Sequence, residues 1–353
     1  MKHSYRTNTI TMSTKSKLSV SPKLPWYVRL FVSTMSFGVD ICRRSNFTVN
    51  RTLIKLFDLK SSASDNPLNG VKSSDIVVDS SCDLWFRLYT PTHARDCESP
   101  TFPLILFFHG GGFAFMAPNS KPYDAFCRRL VGELSAIVIS VNYRLSPEHR
   151  FPTQYEDGVK VLKFIDDMNY WAEGLNANLK QCFIAGDSAG GNLAHHVAVK
   201  ANQHKFRNLR VIGIIAIQPF FGGEERTEAE IQLEGAPFIS RERTDWMWKA
   251  FLPEGSDRDH PAANFFGPNG EDISGVEYPA TIVFVGGFDP LKDWQKRYYE
   301  GLKKSGKEAY LVEYPNAIHT FYYYPQLPET SLFMKEIGDF MQKQQQRLLS
   351  SET

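Results

Sequence analysis

The chain of 353 residues is 42% hydrophobic, 22% charged and 13% aromatic, enough apolar material for one large core. Its 40 Lys and Arg balance 39 Asp and Glu, and a net charge of +1 gives no reason to expect a nucleic acid or an acidic membrane as partner. No run of 18 uncharged apolar residues offers a membrane-spanning helix.

Residues 1–23 carry Lys2, Arg6, Lys15, Lys17 and Lys23, many Ser and Thr, and no acid. They read as a disordered basic arm, with an organellar transit peptide as the alternative. From Trp26 to Asp40 two apolar stripes keep a helical period: Trp26, Leu30, Thr34 and Phe37, and Tyr27, Phe31 and Met35. With a second short helix near residues 53–57, they predict a helical lid over residues 24–70. Short apolar runs at 75–78 and 84–89 predict strands.

After Pro103 the pattern changes. Apolar runs at 104–108, 136–141, 182–185, 211–217, 282–285 and 310–313 alternate with helical segments at 123–133, 155–169, 190–202, 294–305 and 332–348. Buried strands alternating with helices predict an α/β fold with a mostly parallel sheet covered on both faces. Residues 71–349 then form one domain, and residues 221–278, which break the alternation, form a cap insertion.

Cys42, Cys82, Cys97, Cys127 and Cys182 are odd in number and no two of them form a C-x-x-C pair. The pattern argues against a disulfide framework or a zinc site and for a reducing compartment, so a cytoplasmic protein is expected.

The chemistry centres on Gly186-Asp187-Ser188-Ala189-Gly190. Glycine and serine are common, so the five residues alone say little. Their setting says more: they leave a predicted buried strand and open a helix, as the sharp turn that exposes a nucleophilic serine requires. His109-Gly110-Gly111-Gly112 follows another buried strand. Bare backbone N–H groups at Gly111 and Gly112, with that of Ala189, would receive a developing oxyanion, each donor worth about 3–4 kcal/mol of barrier. His109 itself reads as loop support, and Arg144, Glu148, His149 and Arg150 as an ion-pair knot bracing that loop.

A serine hydroxyl needs a base, and the base an orienting carboxylate, in the chain order Ser, acid, His. Beyond the Ser188 helix only His204, His260 and His319 remain. His319 follows the last predicted strand, where the base belongs. For the acid, Asp289 after the Gly286-Gly287 turn is preferred to Asp293, which suits a helix N-terminus. His195 and His196 lie on the serine's own helix and read as packing.

Together these residues resemble the hormone-sensitive-lipase branch of the α/β-hydrolases, and within it the plant carboxylesterases, most of all the type called carboxylesterase 18. The resemblance runs from about residue 25 to about 342 and is carried by HGGGFAF at 109–115, VNYRLSPEHRFP at 141–152, GDSAGGNLAHH at 186–196, FDPLKDW at 288–294 and IHTFY at 318–322. It implies the α/β-hydrolase fold, Ser188 as nucleophile, Asp289 as acid, His319 as base, and an oxyanion hole from the Gly111, Gly112 and Ala189 amides. The chain also resembles the related gibberellin receptors, in RRSNFTVNR at 43–51, DWMWKAFLPEG at 245–255 and HPAANFFGP at 260–268. Such receptors replace the base histidine with an aliphatic residue and tend to carry serine at the third glycine. His319 and Gly112 depart from that pattern and favour an enzyme.

The expected activity is hydrolysis of a small organic ester by a Ser-His-Asp triad, needing no metal or organic cofactor and no protein partner. Trp26, Phe113, Phe115, Phe220, Phe221 and Tyr322 are expected to line the substrate pocket, which would favour a partly aromatic ester. A small-molecule receptor, and an enzyme performing elimination or cyclisation on the same scaffold, are the alternatives.

Overall fold

Residues Phe102–Phe108 read Phe-Pro-Leu-Ile-Leu-Phe-Phe and every one is buried. In the computed structural model, which describes residue 22 and residues 24–92, 101–168 and 174–352, this strand is β4, near the centre of a nine-stranded sheet. Apart from Pro22, the expected basic arm lies outside the described residues, as does Cys97.

The other strands are β1 (Ser64–Leu68), β2 (Val71–Asp79), β3 (Leu84–Pro91), β5 (Ile137–Asn142), β6 (Ala177–Asp187), β7 (Val211–Ile217), β8 (Ala280–Gly286) and β9 (Ala309–Tyr314). They lie in the order 1-2-3-5-4-6-7-8-9. Every pairing from β5 to β9 is parallel, and those joining β1, β2, β3 and β5 are antiparallel. The expected mostly parallel sheet is therefore present.

The period of two along β4 divides its side chains between two cores. Leu104, Leu106 and Phe108 join the core shared with α4 (Thr153–Asp167) and α5 (Ala189–Ala201). Ile105 and Phe107 point the other way, into the core under α3 (Lys121–Leu134) and α9 (Pro328–Glu352). A sheet with both faces covered has apolar residues at every position of its central strands, which is why these strands read as unbroken apolar runs.

Two expectations change. The N-terminal segment holds α1 (Trp26–Cys42) and α2 (Arg51–Ile54), but Ser64–Leu68 pairs with β2 as an edge strand. With four of its five residues exposed, and Pro67 among them, β1 has no alternation to reveal it. In α1 the inward stripe is Val28, Val32, Met35, Val39 and Cys42, whereas Trp26, Leu30 and Phe37 face outward.

The insertion after β7 contains α6 (Glu228–Gln232) and α7 (Arg241–Phe251) and no strand among the described residues. It meets the N-terminal segment directly: the Arg243 guanidinium donates to both oxygens of Asp40 on α1 at 2.6 and 2.8 Å, and Trp246 Nε1 donates to the Arg44 carbonyl at 2.8 Å. The remaining described helix of more than one turn is α8 (Lys292–Lys304). Among the described residues no helix is long and apolar enough to cross a membrane.

Candidate active site

Ser188 stands between the end of β6 and the first residue of α5 with φ +52° and ψ −119°. A non-glycine residue held there stores on the order of 1–3 kcal/mol of strain, so neighbouring contacts must fix it. Its N–H donates to the Ile217 carbonyl at 2.9 Å, and its own carbonyl accepts from Phe220 at 2.8 Å. Gly190 is needed because a β-carbon there would overlap the Phe108 carbonyl of the adjacent strand. The first amides of an α-helix have no partner within it, which leaves Ala189 N–H at the serine's side of the turn.

His319 sits on the loop after β9, and its Nδ1 donates to Asp289 Oδ2 at 2.7 Å. A carboxylate only accepts, so the proton sits on Nδ1 and the lone pair on Nε2. Asp289, after β8, is fully buried. Its Oδ1 accepts from the Leu291 amide at 2.9 Å, and its Oδ2 also accepts from Gln218 Nε2 at 3.1 Å and Gln295 Nε2 at 2.8 Å. The competing acid lies elsewhere: Asp293 accepts from the Ala229 amide at 2.8 Å. So does His260, whose Nδ1 accepts from Ala262 N–H.

The glycine loop is shaped by a buried carboxylate. Gly110 N–H donates to Asp187 Oδ1 at 2.9 Å, while Asp187 Oδ2 accepts from the Tyr123 and Tyr322 hydroxyls at 2.8 and 2.5 Å. Burial pushes the Asp187 carboxyl up to about 6, against the lowering effect of the two tyrosines. Beyond it Gly111 and Gly112 take φ +103° and +60°. His109 is also buried, which pushes its imidazole down to about 3, and its Nδ1 donates to the Gly110 carbonyl at 2.8 Å.

The expected ion-pair knot does not form among its own members. Arg144 pairs with Asp157, Arg150 donates to the Lys249 and Leu252 carbonyls, and Glu148 pairs with Arg51 of α2. Arg51 in turn donates to the Ala114 and Ser146 carbonyls at 2.5 and 2.7 Å, so the loop is braced from α2.

Ser188, Gly111, Gly112, Asp187, His319 and Thr320 line a cavity of about 40 Å³, roofed by Phe31, Met35 and Val39 of α1 and by Met247 of α7. None of the six aromatics expected to line the pocket is among its walls. Trp26 is three-quarters exposed on the outer face of α1. Phe113 stacks on Phe251 at 3.8 Å, Phe115 lies against Trp246, Phe220 stacks on Trp248 and Phe221 on Tyr298. Tyr322 spends its hydroxyl on Asp187. All but Trp26 are core residues: Phe113, Phe115 and Phe220 belong to one buried cluster, Phe221 to a second and Tyr322 to a third.

Sequence reasoning missed Gln218, Gln295 and Tyr123 and left Asp187 without a role. Asp187 offered a signal, being an acid inside a motif flanked by buried strand and helix. Tyr123 and Gln218 act across 64–102 residues of chain and offered none, and Gln295, six residues past Asp289, carries no pattern that marks it.

A protein-family profile described as alpha/beta hydrolase fold matches residues 105–323. Gibberellin receptor GID1C of Arabidopsis thaliana is 41% identical over 333 residues, covering 92% of this chain and 95% of its own length. Carboxylesterase 20 of the same plant is 34% identical over 280 residues, covering 77% and 85%. Among solved structures, a hyperthermophilic esterase from the archaeon Pyrobaculum calidifontis superposes with a TM-score of 0.69 at 27% identity, covering 91% of this chain and 98% of that one. The chain belongs to the α/β-hydrolase family, in the branch whose members include plant gibberellin receptors and plant carboxylesterases.

Proposed function

We propose that this protein is a serine carboxylesterase acting on a small, uncharged ester. The observation that carries the reading is the 2.7 Å bond from His319 Nδ1 to Asp289, which leaves Nε2 as a proton acceptor in the same cavity as Ser188. In this mechanism His319 takes the Ser188 proton, Ser188 Oγ attacks the ester carbonyl, and the Gly111, Gly112 and Ala189 amides receive the oxyanion. His319 then protonates the leaving alcohol, and water deacylates the enzyme by the same route. No step calls for a metal or an organic cofactor.

The cavity walls support the substrate class. Phe31, Met35, Val39, Met116, Ile239 and Met247 are apolar, and no Lys or Arg is among the lining residues, so a charged acyl group would find no counter-ion. The unpaired cysteines Cys42, Cys82, Cys127 and Cys182 favour a reducing compartment, and we place the protein in the cytoplasm.

A second reading has its own support. The likeness to gibberellin receptors, with α1 lying over the cavity that holds Ser188, suits a protein that binds a small molecule beneath its N-terminal helix. Turnover of a chromogenic aryl acetate by wild type and by Ser188→Ala separates the two. The esterase reading requires turnover that the substitution abolishes. Turnover that survives Ser188→Ala, or its absence in wild type on every ester alongside small-molecule binding, overturns it.

A further inference from the structure

We infer that Gln218 is a positioning residue: its side-chain amide clamps Asp289 and the His319 loop together, so that acid and base move as one unit. This rests on the esterase reading above.

Gln218 follows the last residue of β7, between the strand leading to Ser188 and the strand leading to Asp289. It holds φ +43°, rare for a residue with a β-carbon, and its N–H donates to the Phe284 carbonyl at 2.9 Å. That backbone setting turns a fully buried side chain toward the junction of two loops.

The amide makes three hydrogen bonds there. Nε2 donates to Asp289 Oδ2 at 3.1 Å and to the Ile318 carbonyl at 3.2 Å, and Oε1 accepts from Thr320 N–H at 2.8 Å. His319 is thus held by its residues on either side, from the same group that holds the oxygen its ring donates to. The partners also fix the amide's orientation: Asp289 and Ile318 offer only acceptors, and Thr320 N–H only a donor. A glutamate would have no donor for the first two, and a methionine nothing for any. Room for the clamp comes from Gly286, where a β-carbon would crowd Gln218 Nε2.

Gln295 provides the contrast. Its Nε2 also donates to Asp289 Oδ2, at 2.8 Å, but its Oε1 has no partner and it does not reach the His319 loop. It supports the acid without joining it to the base.

The test compares Gln218→Met, Gln218→Asn and Gln218→Glu with wild type, and with Gln295→Met as control. Active sites are titrated with an aryl organophosphate, aryl acetate kinetics are measured per titrated site, and the low-field NMR resonance of the His319 Nδ1 proton is recorded. Gln218→Met should lower kcat per site on the order of 10²-fold, as misplacement of a reacting group does, with KM nearly unchanged. It should also shift or erase the low-field resonance, which Gln295→Met should alter less. Gln218→Glu sets a second carboxyl against Asp289 in place of the amide and should lower kcat per site as Gln218→Met does. Gln218→Asn, whose amide stops one methylene short, should follow Gln218→Met and serves if the latter fails to fold. Unchanged kcat per site with an unmoved resonance in the folded variant overturns the proposal. If wild type neither turns over esters nor is titrated, the esterase reading fails. The resonance then decides alone: its loss in Gln218→Met or Gln218→Asn supports the clamp, and its persistence removes it.

Discussion

His319 Nδ1 lies 2.7 Å from Asp289 Oδ2, with both side chains out of solvent. Asp293, four residues further on, faces Ala229 instead. Replacing Asp289 with Asn should lower kcat on the order of 10⁴-fold, because the amide permits the wrong imidazole tautomer. Replacing Asp293 with Asn should only weaken a cap bond, at a cost of about 1 kcal/mol in stability. Steady-state kinetics and urea unfolding of both variants check the assignment; a comparable kinetic loss at Asp293 would reverse it.

Gly112 has φ +60°, and a β-carbon added there would overlap the Met247 sulfur. The Met247 thioether can swing aside, but a side chain is strained at this φ, and relief of that strain in Gly112→Ser should turn the amide away from the oxyanion position. Losing one such donor costs about 10²- to 10³-fold in kcat. The prediction is a kcat loss of that order with little change in KM, measured on the same aryl acetate.

The roof of the cavity should set acyl size. Met35 projects from α1 into a space of only about 40 Å³ beside Ser188. Met35→Ala should raise the kcat/KM ratio of butyrate over acetate esters by roughly 10-fold, the effect of accommodating added methylenes. Truncating the buried side chain should also cost about 2–5 kcal/mol of stability, visible as a lower Tm. An unchanged acyl preference would place the acyl group elsewhere.

Asp187 predicts a pH dependence of stability. Its ordinary value is 3.8, and burial raises it to about 6 in the fold. Between those values the folded protein holds a proton that the unfolded chain has lost, so stability falls as pH rises through the window. The contribution is fully present below the unfolded value and gone above the folded one. Its size is about 3 kcal/mol, from the two values and 1.36 kcal/mol per unit. Asp187→Asn cannot titrate, so the stability of wild type relative to this variant should drop by that order between about pH 4 and about pH 6.5. A flat difference across the window would show that Asp187 keeps its ordinary value.

Much of the parallel half was legible in the sequence because its signals are local. β4, β5, β7 and β8 are short apolar runs bounded by turns, and such runs are what a doubly covered sheet requires. The edge strand β1 was not legible, since an exposed strand has no buried face to set a period of two. Nor was the inward stripe of α1. Two apolar stripes were available, and packing against the core and α7 decided between them.

The sequence by itself determined the turn at Ser188, through glycines whose missing β-carbons let strand and helix approach, and it nominated Asp289 and His319 by chain order. Only the tertiary structure decided what surrounds them. It put Gln218 on both loops, Tyr123 and Tyr322 on Asp187, and Met35 and Met247 over the cavity, while turning Phe113, Phe220 and Phe221 into the core. The reason is physical: a turn's conformation is fixed by steric limits within a few residues. A buried hydrogen bond between side chains 100 residues apart exists only once the sheet has set the spacing between its loops.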